Sequence, residues 1–112
     1  MVNFPKYQIK KSINNQFYWV LYALNAKAIL SGEQYVSKQG CLNGVNSSKN
    51  NTADSCFKRA KAINGQPYFT QVASNGETLG RSEMYDSSQA CETGVASVKQ
   101  NAPIAGIEDT TV

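Results

Sequence analysis

The sequence predicts an α+β fold in which two β-β-β-α units build one antiparallel-rich sheet with two helices packed on one of its faces. Three observations lead there. Residues 7–51 align with residues 57–101 at a constant offset of fifty without a gap, and 17 of the 45 paired positions are identical. Each copy passes from short extended runs with Asn-rich turns into a stretch of helical period. The chain of 112 residues has room for one ordinary core, so neither copy can bury enough apolar surface alone. It is therefore expected to form a single domain over 1–112, with internal repeats at 4–51 and 54–101 and a disordered tail at 102–112.

The first strand of each copy is Tyr7–Lys11 or Phe57–Lys61. It is followed by Asn14-Asn15 or Asn64-Gly65, the kind of pair that supplies positive φ in a type I′ hairpin turn. The second strand covers Gln16–Leu24 or Gln66–Ser74 and ends at a second turn, Asn25-Ala26 or Asn75-Gly76. A weaker third strand, Lys27–Ser31 or Glu77–Arg81, continues irregularly toward Tyr35 or Tyr85. Ser37 and Ser87 then stand where an N-cap hydroxyl would accept from the first helical turn, and the helices are expected over Lys38–Lys49 and Ser88–Lys99. Cys91, Val95 and Val98 make an apolar stripe at i, i+4 and i+7, matched by Cys41, Val45 and Ser48. Gly44 and Gly94, kept in both helices at about 1 kcal/mol each relative to alanine, point to close approach of each helix to its neighbours.

Along the second strand Trp19/Phe69 and Ala23/Ala73 recur as large and small core candidates. If the helices cover that face, Tyr18, Val20, Tyr22, Tyr68 and Val72 are left on the opposite one, a candidate binding surface for a protein partner. A single-stranded nucleic acid is disfavoured there, because lysines and arginines interleaved with the tyrosines are not expected on that face.

Composition removes several classes of chemistry. The chain contains no histidine, which takes away the usual general base near neutral pH and the His-containing metal sets. Its three cysteines, Cys41, Cys56 and Cys91, are too far apart for a compact thiolate motif. They read as small buried side chains, with Cys56 beside the linker the most open to reaction. No metal, cofactor or catalytic residue is expected. Glu33-x-Tyr35 and Glu83-x-Tyr85 form the most suggestive repeated polar pair. In a symmetric cleft Glu33, Tyr35, Glu83 and Tyr85 could form a carboxylate pair for a small ligand or a reaction; otherwise each carboxylate holds the loop before its helix. No apolar run is long enough for a secretory signal or a membrane span, and the expected location is the cytoplasm. Net charge is +3, with lysines concentrated in residues 1–50 and acids in 51–112, and a monomer is expected.

The ordered set Asn75-Gly76-Glu77, Ser82-Glu83-Met84-Tyr85 and Glu92–Asn101, with its counterparts in the first copy, resembles the YegP-like family (UPF0339, built of DUF1508 repeats). The resemblance covers nearly all of 4–103. It implies tandem β3-α units in one sheet with the helices exchanged, so that 38–49 packs on second-half strands and 88–99 on first-half strands. It brings no catalytic residue to transfer and leaves the function open; the residues themselves favour an uncharacterised, non-enzymatic binding or accessory module that uses the aromatic sheet face or the groove between the helices. Gln71, where Leu21 stands in the first copy, and Pro67, opposite Phe17, depart from the pattern and are expected to weaken the second copy's core.

Overall fold

The computed structural model describes residues 2–112. In chain order the elements are β1 (Lys6–Lys11), β2 (Phe17–Tyr22), β3 (Ala28–Gly32), α1 (Lys38–Asn50), β4 (Phe57–Lys61), β5 (Pro67–Val72), β6 (Thr78–Arg81), α2 (Ser88–Asn101) and β7 (Gly106–Asp109). Short 3-10 turns at Asp54–Cys56 and Ala102–Ile104 lead into β4 and β7. The strands make one sheet in the order β4-β5-β6-β3-β2-β1-β7. Every pairing is antiparallel except that of β7 with β1.

The two copies meet where β3 lies against β6, with Ser31 directly opposite Arg81 and Gly32 opposite Gly80. Ser31 and Arg81 are fifty residues apart, so the pseudo-twofold relating the repeats passes through this pair. Trp19, fully buried, lies across the junction, and a Cβ on Gly32 would collide with its indole, as one on Gly80 would press on the ring edge. These two glycines leave the space that the tryptophan fills. Around it Tyr7, Ile9, Leu21, Leu30, Phe69 and the helix residues Cys41, Val45, Cys91, Val95 and Val98 complete one core shared by both halves.

The hairpins depart from the expected type I′ turns. In each, one residue carries positive φ: Asn15 at 65°, Ala26 at 68°, Gly65 at 83° and Gly76 at 86°. The amide of that residue donates back three positions, as Asn15 does to the Ser12 carbonyl (3.0 Å) and Gly76 to that of Ala73 (2.8 Å). This is the type I turn followed by a left-handed residue, so the second member of each Asn-x pair supplies the unusual conformation and the Asn supplies a side-chain acceptor for the turn. Asn75 Oδ1, for example, accepts from the Glu77 amide at 3.0 Å.

Both helices start as expected. The Ser37 and Ser87 hydroxyls accept from the amides of Gly40 and Ala90, each at 3.0 Å. A Cβ at Gly44 would strike the Tyr35 hydroxyl and one at Gly94 the Tyr85 hydroxyl, so each glycine admits the tyrosine that precedes its own helix. The exchange of helices is a straddle. Each begins over its own copy, where Tyr35 meets α1 and Tyr85 meets α2, and ends over the other. Ser48, near the end of α1, hydrogen-bonds Gln71 of β5; Asn101, at the end of α2, accepts from the Leu24 amide beyond β2 (3.2 Å).

Gln71 does not weaken the core in the way expected. It is completely buried and fully engaged. Its Oε1 accepts from the Ser48 hydroxyl (2.7 Å), and its Nε2 donates to the carbonyls of Ser48 (3.0 Å) and Asn51 (2.8 Å). The Tyr7 hydroxyl lies 2.7 Å from the same Ser48 oxygen. The repeat counterparts of Tyr7, Ser48 and Gln71 are Phe57, Val98 and Leu21, all buried. One copy thus uses a polar chain where the other uses apolar contact, and a buried polar group whose partners are in place costs little. Pro67 opens β5, where its missing N–H is tolerated.

The tail expected to be disordered is a strand. β7 runs parallel to β1, with Ile107 opposite Tyr7 and Asp109 opposite Ile9, and hydrogen bonds from the Gly106 amide to the Pro5 carbonyl (3.1 Å) and from Thr110 to that of Ile9 (3.1 Å) close its ends. The segment lacks a period of its own because four residues on an edge have one neighbour to satisfy.

Two predictions test these packing arguments. Replacing Ala26 by glycine, its counterpart in the second copy, removes a left-handed alanine and should raise stability by about 1 kcal/mol in chemical denaturation. Gln71→Leu alone leaves the Ser48 hydroxyl with Tyr7 as its remaining partner, takes the amide donor from the Ser48 and Asn51 carbonyls, and should cost about 1–3 kcal/mol. The triple variant Tyr7→Phe, Ser48→Val, Gln71→Leu, which copies the other repeat's apolar set, should return to within about 1 kcal/mol of the wild type.

Candidate binding surface

Directly paired residues of neighbouring strands share a face, so the register defines the side of the sheet away from the helices. One row crosses it as Gln8, Val20, Ser31, Arg81, Thr70 and Lys58 on six successive strands, a width of about 24 Å at the usual strand spacing. Tyr18 pairs with Lys10 and Tyr22 with Lys6 on one side of the dyad; Tyr68 pairs with Ala60 on the other. The five residues expected on this face are therefore all there. Tyr18, Tyr22, Tyr68 and Val72 are half-buried, whereas Val20 is buried among its neighbours.

The expectation that this face lacks cations is wrong. Lys10 Nζ stands 5.7 Å from the Tyr22 ring centre and the Arg81 guanidinium 5.5 Å from that of Tyr68, close enough for cation–π attraction. Lys58 completes the row at its outer end. Alternation along β1 and β4, together with the antiparallel register, would have placed Lys10 and Lys58 there. Arg81 was missed because its first-copy counterpart is Ser31. Lys6 belongs to the same face but is 4% exposed; its ammonium meets Glu108 at 2.9 Å and the Val2 carbonyl at 3.1 Å, so its charge is spent internally.

Glu33, Tyr35, Glu83 and Tyr85 do not assemble into a cleft. Glu33 and Glu83 each lie two residues beyond the dyad pair on strands running in opposite directions, roughly 13 Å apart along the sheet. Their partners Tyr35 and Tyr85 turn instead to the helix side, under Gly44 and Gly94. Burial raises the Tyr35 phenol; the Trp19 indole N–H lies close enough to oppose this slightly without meeting hydrogen-bond geometry, and Trp19 Nε1 stays unpaired. Burial, helped by the Glu83 charge, pushes Tyr85 up to about 12. Both are neutral phenols at physiological pH and have no role as bases.

The thiols are equally quiet. Burial, with the Asp109 charge second, pushes Cys41 up to about 11, and burial raises Cys91. Cys56, expected to be the most open to reaction, is buried as well. Among the described residues no group of His, Cys, Asp or Glu is placed to hold a metal ion, and no helix is long and apolar enough to cross a membrane.

The two outer edges of the sheet differ. At β1 the tail is tied down by Lys6–Glu108 and by Lys38–Asp109 at 2.8 Å, while the Lys49 ammonium donates to the Ala105 carbonyl. At β4 an ion-pair cluster occupies the corresponding place. Arg59 bonds both Glu92 oxygens at 2.9 Å and Asp54 at 3.0 Å, and Lys99 reaches Asp54 at 2.8 Å. Hydrogen bonds from Lys99 and Arg59 hold the Asp54 carboxyl down at about 2.

Comparison with known proteins places this architecture. The family model for a domain of unknown function, DUF1508, matches twice, at residues 12–55 and 62–109, once per repeat. The chain therefore belongs to the DUF1508 family. A UPF0339 protein of Shewanella oneidensis is 44% identical over 46 residues, 41% of this chain and 42% of that protein's length. One of Treponema denticola is 42% identical over 50 residues, 45% of this chain but 86% of the relative, so a single repeat makes up nearly all of that protein. Two solution structures superpose on the whole fold. UPF0339 protein SO3888 from Shewanella oneidensis gives a TM-score of 0.87 at 37% identity, covering 93% of this chain and 89% of its own. The protein of unknown function yegP from E. coli gives 0.89 at 35%, covering 98% and 96%. The relatives confirm the family and the α+β sheet with two helices, and they carry no assigned activity.

The tail contact gives a pH prediction. The hydrogen bond from Lys38, aided by those from Thr111, holds Asp109 down at about 2. A depressed carboxyl stabilises the fold fully above its ordinary value of about 4, and that contribution is lost as pH falls through the depressed value. In an NMR titration the Asp109 carboxyl carbon should turn over near pH 2, with the Gly106–Asp109 amides shifting alongside it. A midpoint near 4 would mean that the ion pair does not hold the strand.

Proposed function

We propose that this protein is a non-enzymatic binding module of the cytoplasm that receives an acidic surface of a protein partner on the open face of its sheet. The observation that carries the reading is the row Gln8–Val20–Ser31–Arg81–Thr70–Lys58. It contains two cations, Arg81 and Lys58, with Lys10 and three half-buried tyrosines beside it; the carboxylate next to it, Glu108 opposite Gln8, is held by Gln8 and Lys6 at the far edge. Flat aromatic area with cations set among the rings suits a partner that brings carboxylates and apolar groups together. The quiet thiols and phenols, and the separation of Glu33 from Glu83, support the absence of catalysis.

The alternation of Tyr18, Tyr22 and Tyr68 with Lys10 and Arg81 also favours a second reading, stacking of single-stranded nucleic acid. One experiment separates the two. The full chain, immobilised, should retain the same polypeptide from cell lysate as an Ile63→Ser control, whose side chain is fully exposed on a turn. Tyr22→Ala and Arg81→Ser, the latter copying Ser31, should each lose it at least tenfold while melting within a few degrees of the wild type. Retention by both variants would overturn the reading. Tight anisotropy binding of a labelled dT12 probe, falling steeply with salt, would establish the nucleic-acid reading instead.

A further inference from the structure

The repeat symmetry exposes a vacancy. The outer edge of β1 is covered by β7, whereas β4, its counterpart in the second copy, ends the sheet. The carbonyls that take the ends of β7 belong to Pro5 and Ile9, and fifty residues on they are those of Ser55 and Arg59. In the first copy Asp109 pairs with Ile9 on β1 and ion-pairs with Lys38, the first residue of α1. In the second copy the corresponding region is a cavity of about 300 Å³ bordered by Arg59, Lys61, Ser88, Cys91 and Glu92, the counterparts of Ile9, Lys11, Lys38, Cys41 and Leu42. The place that a strand fills in one half has no strand in the other.

The Arg59 side chain now occupies the edge. Besides its carboxylate contacts it donates to the Phe57 carbonyl at 3.0 Å, the counterpart of Tyr7. These contacts are exchangeable, because Asp54 is 69% and Glu92 51% exposed and exposed ion pairs hold weakly. Three of the five residues of β4, Lys58, Arg59 and Lys61, are cationic. A second copy pairing edge to edge would set like charges against one another, so charge selects an acidic occupant over a copy of this chain. Basic residues alone blunt many edges; here they border a formed cavity with a worked example of its filling in the same molecule.

We propose that the outer edge of β4 and the cavity beside it receive an extended acidic segment of a partner protein as an eighth strand. The segment runs parallel to β4 in the register that β7 keeps on β1. In that register an apolar residue faces Phe57, an acid faces Lys58 and a second carboxylate displaces Glu92 from Arg59, so main-chain bonds give affinity and alternate side chains give selection. The site shares only Lys58 with the open-face surface and stands on separate observations.

The test uses isotopically labelled full chain and a synthetic peptide with the sequence of residues 105–112, whose Ile-Glu-Asp run matches this chemistry. Amide shifts should appear in Phe57–Lys61 and Ser88–Glu92, with at least tenfold slower amide exchange in β4. Arg59→Glu and Lys58→Glu should each weaken binding at least tenfold, and a peptide carrying Glu108→Lys and Asp109→Lys should not bind. Because both protein variants change exposed residues, an unaltered spectrum elsewhere shows that they fold. The proposal is overturned by no shifts at millimolar peptide, by shifts confined to β1, by shifts confined to Tyr18, Tyr22 and Tyr68, or by self-association of the protein through β4. Neither protein variant alters Tyr22 or Arg81, and shifts confined to the tyrosines would support the open face, so the proposal can fail while the open-face reading stands.

Discussion

The structure depends on Trp19 lying across the junction of β3 and β6. A two-stranded contact of this length, with Ser31 opposite Arg81 and Gly32 opposite Gly80, is too short to hold two halves together by main-chain bonding. The indole spans it because both glycines lack a side chain on the helix face, and one aromatic group of this size contributes more buried area than any other in the core. From that point outward each helix can begin over its own copy and finish over the other, since the sheet beneath is continuous. Apolar surface of both repeats is thus pooled around this residue in one core and covered by two helices.

Departures from the repeat are informative because the duplicated pattern provides an internal reference. Where the copies differ inside the core, the differences compensate: Ser48 and Gln71 each break an apolar position, and they satisfy each other. Other differences do not compensate in this way, and they set the open face and the two sheet edges apart. Arg81 in place of Ser31 puts a cation at the centre of the open face. Arg59 in place of Ile9 and Glu92 in place of Leu42 give the β4 edge an ion-pair cluster where the β1 edge holds the tail.

Much of this was legible in the sequence. The offset of fifty, the Asn-centred turns, the Ser37 and Ser87 caps and the helical stripes gave the element order, and alternation along the second strand correctly placed Tyr18, Tyr22 and Tyr68 away from the helices. What was not legible depended on contacts between residues far apart in the chain. The turn type was misread because Asn-Gly serves equally as the centre of a two-residue turn or as the end of a three-residue one. Gln71 looked like damage because its partner lies 23 residues away on a helix from the other copy. The tail looked formless because four residues acquire strand character only from the edge they join. Glu33 and Glu83 seemed able to meet because symmetry relates them, yet an antiparallel dyad sends residues beyond it in opposite directions.

The parallel seat of β7 on β1 also bears on how the protein is made. β1 leaves the ribosome ahead of β7, which follows it by about a hundred residues, at ordinary elongation rates a delay of roughly 5–20 s. During that interval the outer edge of β1 stays unpaired, and the cation Lys6, later enclosed by Glu108, remains hydrated. The border that β1 opens is therefore sealed only after both repeats have been made.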